Sequence, residues 1–315
     1  SGNWSFTPGT VMVDGTHNLT VTATDVAGNV SGASLPLSIT VDTGQPQLAA
    51  PDLQATSDNG SSNTDNITNA LNPVFAGGGA EAGAKVHLYA GGVEVGNAVA
   101  DASGNWSVTH TAAATGVDIA YTVTQEDKAG NFSAPSQGLK VTIDRTAPAV
   151  PAAPGLVSDS GVPGDRITNV NKPTISGTAE ANSTVSVYDG GTLIGTALTN
   201  GSGNWSFTPG TVMVDGTHNL TVTATDVAGN VSGASLPLSI TVDTGQPQLA
   251  APDLQATSDN GSSNTDNITN ALNPVFAGGG AEAGVKVHLY AGGVEVGNAV
   301  ADASGNWSVT HTAAA

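Results

Sequence analysis

Carboxylates are the residues in this chain with the numbers to do chemistry. Twenty-six Asp and Glu stand against seven Lys and Arg, a formal net charge of −19 over 315 residues. That excess cannot neutralise a phosphate backbone, so nucleic acid and anionic membrane surfaces are poor partners and cations are the natural counterpart. The acids recur in short polar clusters such as Ser57-Asp58-Asn59-Gly60 and Asp226-Val227-Ala228-Gly229-Asn230, or close an apolar run, as Asp42, Asp144 and Asp243 do. The plain alternative is turn chemistry, since Asp and Asn side chains also cap nearby backbone N–H groups. With no cysteine there is no thiolate ligand, disulfide or Cys nucleophile. The six histidines are three positions seen twice, His17 and His218, His87 and His288, His110 and His311, and no pair has metal-ligand spacing. Neither a Gly-x-Ser-x-Gly elbow, a phosphate loop nor an EF-hand loop occurs, and the chain is expected not to be an enzyme.

The elements that must position these acids come from a repeat. Residues 1–114 recur as 202–315 with one difference, Ala84 against Val285, a period of 201 residues. Within it Ser-Gly-Asn-Trp returns at Trp4, Trp106, Trp205 and Trp307, so two diverged modules alternate. Pro-bearing linkers follow each closing Asp, as in Asp42-Thr43-Gly44-Gln45-Pro46 and Asp144-Arg145-Thr146-Ala147-Pro148. The expected division is the C-terminal part of a first module type (1–43), a complete second type (44–145), a complete first type (146–244), and the N-terminal part of a second type (245–315). The chain thus reads as a window on a longer tandem array. No apolar run approaches the roughly 18 residues of a membrane span, and Ser1-Gly2-Asn3-Trp4 is no signal peptide.

Inside a module the hydrophobic period is two. Leu139, Val141 and Ile143 alternate with Lys140, Thr142 and Asp144, the pattern of a strand with one buried face. Gly91-Gly92, Gly130-Asn131 and similar turn signals separate such runs. About seven short strands per module predict an all-β chain of tandem immunoglobulin-like β-sandwich domains arranged as a linear rod. For 44–145 the strands are expected at 52–55 (A), 73–77 (B), 85–89 (C), 93–100 (C′ or D), 106–110 (E), 119–125 (F) and 138–143 (G). Trp106 belongs to the core, and His87 faces outward. Every carboxylate but Glu94 and Glu295 then falls in a loop or at a strand edge.

This order sends the A–B loop and chain exit to one pole and the B–C and F–G loops to the other, so consecutive domains meet through acidic ends. The first joint offers Asp42, Glu81 and Asp127. The second offers Asp58, Asp65 and Asp144 facing Glu180 and Asp226, and the third offers Asp159, Asp165, Asp243 and Glu282. Like charges brought that close repel by about 1 kcal/mol or more per pair, so apposition calls for a cation. Calcium takes six to eight oxygens in flexible geometry, which suits ligands gathered from loops and a linker; magnesium, demanding a tighter octahedron, suits them less.

The segments Ser158-Asp159-Ser160-Gly161 with Asp165-Arg166-Ile167-Thr168-Asn169, Ile175-Ser176-Gly177-Thr178-Ala179-Glu180, Gly203-Asn204-Trp205, Asp226-Val227-Ala228-Gly229-Asn230 and Ile143-Asp144-Arg145-Thr146-Ala147-Pro148 resemble the bacterial Ig-like tandem repeats of giant adhesins and biofilm-associated surface proteins exported by type I secretion. The second module type departs from the pattern, with Ser61-Ser62-Asn63 lengthening its A–B loop and Asp-Thr-Gly-Gln-Pro as its leading linker. The resemblance implies an extracellular, calcium-rigidified extension region of a Gram-negative bacterium, whose partners are the neighbouring repeats and, in a biofilm matrix, other copies. Two alternatives remain open: a matrix fibre subunit assembled through edge strands, and an array of carbohydrate- or protein-binding modules.

Overall fold

A computed structural model describes residues 2–312. Ser1 of the first Ser-Gly-Asn-Trp turn and Ala313, Ala314 and Ala315 at the close of the last segment lie outside the described residues. Packing divides the chain into two compact units between Thr241 and Val242. Among the described residues there are strands and no helix.

In the first unit, β1 (Gly15–Leu19) and β2 (Leu37–Val41) form an antiparallel pair. Residues 44–145 carry β3 (Asp52–Leu53), β4 (Ile67–Thr68), β5 (Val74–Gly77), β6 (Lys85–Ala90), β7 (Val93–Val99), β8 (Trp106–Thr109), β9 (Gly116–Glu126) and β10 (Leu139–Ile143). They form two sheets, ordered β3-β5-β8 and β4-β10-β9-β6-β7. The same plan returns as β11 (Gly155–Leu156), β12 (Ile167–Thr168), β13 (Ile175–Thr178), β14 (Thr184–Asp189), β15 (Thr192–Leu198), β16 (Asn204–Phe207), β17 (Gly216–Thr225) and β18 (Leu238–Val242), ordered β11-β13-β16 and β12-β18-β17-β14-β15. The second unit holds β19 (Asp253–Leu254), β20 (Val275–Gly278), β21 (Lys286–Ala291), β22 (Val294–Val300) and β23 (Trp307–Thr310).

The two-sheet sandwich is the architecture expected from the period-two pattern. One strand went unanticipated: β4, inside the expected A–B loop, pairs parallel to β10 through Thr142↔Ile67 and Ile143↔Thr68. Two residues are too few to show alternation. Asp118 also lies inside β9, which begins earlier than expected at Gly116, and its carboxylate meets Lys140 Nζ at 3.3 Å.

Each core fills the gap between sheets with inward-facing residues from both. In 44–145 these include Phe75, Leu88, Trp106, Tyr121, Val123 and Ile143, with Phe75 and Tyr121 stacked at 4.2 Å. In 146–244 Ile175, Val187, Trp205, Leu220, Val222 and Ile240 take those roles. The Trp is in the core, as expected, and its ring packs against a glycine of the paired strand, where no side chain stands in its way. A Cβ at Gly77 would sit 2.5 Å from Trp106 Cζ2, and Gly177 stands likewise under Trp205. His87 keeps the outward direction expected of it. Its side chain lies on the outer sheet face yet is buried, since Glu94 (2.9 Å) and Glu126 (3.3 Å) close over both ring nitrogens and the Phe132 ring sits 5.6 Å away.

Candidate cation centres at the module joints

The joint ahead of 44–145 is built from three segments. β2 delivers Asp42 into the linker, the β5–β6 loop presents Glu81, and the turn after β9 holds Asp127. One carboxylate oxygen from each lies within 4.8 Å of the other two. Asp42 is half-buried, Glu81 exposed and Asp127 buried. Among the described residues none of the three forms an ion pair with Lys, Arg or His. An ion at about 2.3–2.6 Å from each oxygen would leave opposing oxygens about 4.6–5.2 Å apart and neighbouring ones closer. The observed spacing fits that sphere.

The turn chemistry and the acid cluster turn out to be one arrangement. Asp127 Oδ1 accepts from the backbone N–H of Ala129 (2.8 Å) and Asn131 (2.9 Å), while Oδ2 accepts from Asn131 Nδ2 at 2.7 Å. The Asn131 side chain, with these backbone donors, holds the Asp127 carboxyl below its ordinary pKa. Asn131 Nδ2 also donates to the backbone carbonyl of Asp42 at 2.9 Å, tying linker to turn. Gln125, fully buried two residues earlier, receives the Glu81 N–H at 2.9 Å and donates to the Pro46 carbonyl at 2.7 Å.

The joint between 44–145 and 146–244 repeats part of this plan. Asn230 Nδ2 donates to Asp226 Oδ2 (2.8 Å) and to the Asp144 carbonyl (2.9 Å). Asp144 Oδ1 is taken by the Thr146 N–H at 2.8 Å, and Glu180 is exposed. Among the described residues, Asp42, Glu81 and Asp127 are the one set of three acids that meets within 4.8 Å, so Asp144, Glu180 and Asp226 stand less tightly gathered. Direct contact takes up more of this joint. The Ser61 N–H donates to the Val227 carbonyl at 3.0 Å, and Gly60 sits so close that a Cβ there would collide with that same oxygen. Arg145 reaches back to the carbonyl of Ala113 at 2.6 Å.

Asp58 is 1 % exposed, with Oδ2 accepting the Asn66 N–H at 3.1 Å and Oδ1 without a hydrogen-bond partner. Burial pushes its pKa up, and the neighbouring Asp65 charge adds to the rise. Asp65 accepts the Ile67 N–H at 3.0 Å. The equivalents in 146–244 are Asp159, whose Oδ1 is likewise unpartnered, and Asp165, which accepts the Ile167 N–H at 2.9 Å. In the second unit Asp243 accepts the Gly245 N–H at 3.0 Å and Glu282 is exposed.

The acids are legible in the sequence as candidate ligands, whereas the bridging roles of Asn131, Asn230 and Gln125 are not. The recurrence of Asp-x-Ala-Gly-Asn was a signal for the two asparagines. A model of the bacterial Ig-like domain matches residues 1–43, 45–145, 147–244 and 246–315. This chain belongs to the bacterial Ig-like domain family. Its segments are therefore tandem bacterial Ig-like domains, and the joints described above lie between them. The chain is also 34 % identical over 249 residues to Exoglucanase B of Cellulomonas fimi, across 77 % of this chain and 22 % of that protein, so it spans under a quarter of that relative. Among solved structures, a biofilm associated protein BSP domain is 20 % identical with a TM-score of 0.22, covering 64 % of this chain and 30 % of that one. The central fibronectin-III array of RIM-binding protein is 12 % identical with a TM-score of 0.23, covering 76 % and 84 %.

Proposed function

We propose that these bacterial Ig-like domains form the extension region of a large extracellular surface protein of a Gram-negative bacterium. They act as a non-catalytic rod, stiffened by calcium at its joints, that carries an adhesive part away from the cell. The observation that carries this reading is the meeting of Asp42, Glu81 and Asp127 without a cationic side chain to pair them. Those three would hold the ion, and Asn131 and Gln125 would hold the loops that present them. Calcium bound there would replace mutual repulsion with shared coordination and so resist bending of the linker. Near-identity over the 201-residue period supports a spacer, which needs length and stiffness supplied by nearest-neighbour contacts rather than a unique pocket. Trp106, Trp205 and Trp307 are buried, which removes them as carbohydrate-stacking platforms.

Small-angle scattering and thermal melting of the chain, with calcium and then with chelator, test the reading. Calcium is expected to lengthen the scattering envelope and raise the melting temperature. If neither responds, the metal-stiffened rod is wrong.

A further inference from the structure

The linker ahead of 44–145 is held by a second device that needs no ion. Gln125 is on β9, opposite Val86 of β6, and is fully buried. Its Oε1 accepts the Glu81 N–H at 2.9 Å, which fixes the orientation of the carboxamide and aims Nε2 at the Pro46 carbonyl, 2.7 Å away. Its own backbone is clamped to Ser133 through Ser133 Oγ (3.1 Å) and the Ser133 N–H (3.0 Å). A further neutral contact runs from Gln47 Nε2 to the Pro135 carbonyl. All of these join uncharged groups, so their strength is independent of salt and of any divalent cation.

The other joint in the period lacks this fastener. Ala224 stands opposite Val185 in 146–244, in the place that Gln125 holds opposite Val86. A methyl group can neither donate to a linker carbonyl nor receive the N–H of the B–C loop. There the linker keeps the Asn230 bond to the Asp144 carbonyl, the counterpart of Asn131 on Asp42, but its other holds are backward, by Arg145 on the preceding domain, and by the contact of the domains through Gly60 and Ser61. We propose that Gln125 is a positioning residue that fastens the linker 42–46 onto the domain that follows it without any metal ion, and that the two joints of the repeat are therefore held by different means.

The chain has no cysteine, and a side chain at Gly44 would meet no atom within 4 Å, so Gly44→Cys carries a single nitroxide label into the linker. Electron paramagnetic resonance of the full chain in chelator should show a restricted label, and Gln125→Ala should make it severalfold more mobile. A label at Thr146→Cys, in the other linker, should not change. Alanine is already the residue at the equivalent place in 146–244, and Gln125→Met, which keeps the volume and removes both bonds, serves as a second variant should alanine disturb the fold. An unchanged label at Gly44 in both folded variants, or a freely mobile label in the chelated parent, would overturn the proposal. Adding calcium to the same samples separates the two ideas: a parent label indifferent to calcium counts against the metal-stiffened joint and leaves the Gln125 fastener standing.

Discussion

Asn230 donates its side-chain amide to the backbone carbonyl of Asp144 at 2.9 Å, so a residue in the F–G turn of one domain holds the end of the domain before it. The same amide nitrogen reaches Asp226 Oδ2 at 2.8 Å, so the bond that shapes the turn and the bond that spans the joint share one group. Asn131 stands in the same relation to Asp42 and Asp127.

Asn230→Ala removes both contacts at once. Deleting hydrogen bonds of this kind, one of them to a carboxylate, is expected to lower the stability of 146–244 by about 1–3 kcal/mol. It should also loosen its joint to 44–145. Urea denaturation reads the first effect and NMR relaxation of the two domains the second; domains that still tumble together would show that the carbonyl bond is not what joins them.

Gly60→Ala should pry the A–B loop away from Val227 while both domains stay folded, because the new methyl group meets a backbone oxygen that belongs to the neighbour. Gly261→Ala, the identical position one period later, meets the Ile268 carbonyl at 3.2 Å and should be milder. Hydrogen exchange at Ser61, whose N–H bonds the Val227 carbonyl, reports the outcome. Unchanged protection of that amide in Gly60→Ala would refute the close contact.

Glu81→Gln tests the cation centre without disturbing the fold, since the side chain is exposed and the loop is held through its backbone N–H. Fewer ligand charges weaken calcium sites. A loss on the order of tenfold in affinity corresponds to about 1.4 kcal/mol. Calorimetric titration should show weaker binding at this joint, with the calcium-free melting temperature unchanged.

The two domain types should answer pH in opposite directions. Burial pulls the pKa of His218 down, but the Val214 carbonyl and the Asp189 carboxylate, 2.6 Å from Nδ1, outweigh it and hold the pKa above the ordinary value. A raised folded pKa means a contribution fully present below the unfolded value of about 6.5 and lost as pH rises through the folded one. His110, packed beside Tyr121 with Nδ1 2.9 Å from its hydroxyl, has its pKa lowered by burial. Its contribution is present above about 6.5 and declines as pH falls toward the lowered value. Burial likewise pushes the pKa of the Tyr121 hydroxyl up to about 12, leaving it a neutral phenol throughout this range. Between pH 7.5 and 5.5, His218→Gln should flatten the acid-side gain of 146–244, and His110→Gln the acid-side loss of 44–145. Melting curves with parallel slopes for parent and variant would exclude either histidine as the source.

By itself the sequence determined the fold class, the alternating repeat and the kinds of side chain at each joint. Those properties are written in local periodicity: Leu139, Val141 and Ile143 announce a half-buried strand, and Ser-Gly-Asn-Trp marks each module wherever it falls. It also grouped Asp42 with Glu81 and Asp127, residues far apart along the chain, because strand order alone sends a linker, a B–C loop and an F–G turn to one pole. Tertiary structure alone decided how the groups meet. No spacing tells that Asn131 reaches the Asp42 carbonyl, that Gln125 sits buried between Pro46 and Glu81, that Gly60 abuts Val227, or that Asp144, Glu180 and Asp226 stay less closely gathered. Those outcomes depend on a few ångströms of loop path and on which partner reaches each polar group first, and such distances are set only once two packed domains fix the ends of every loop.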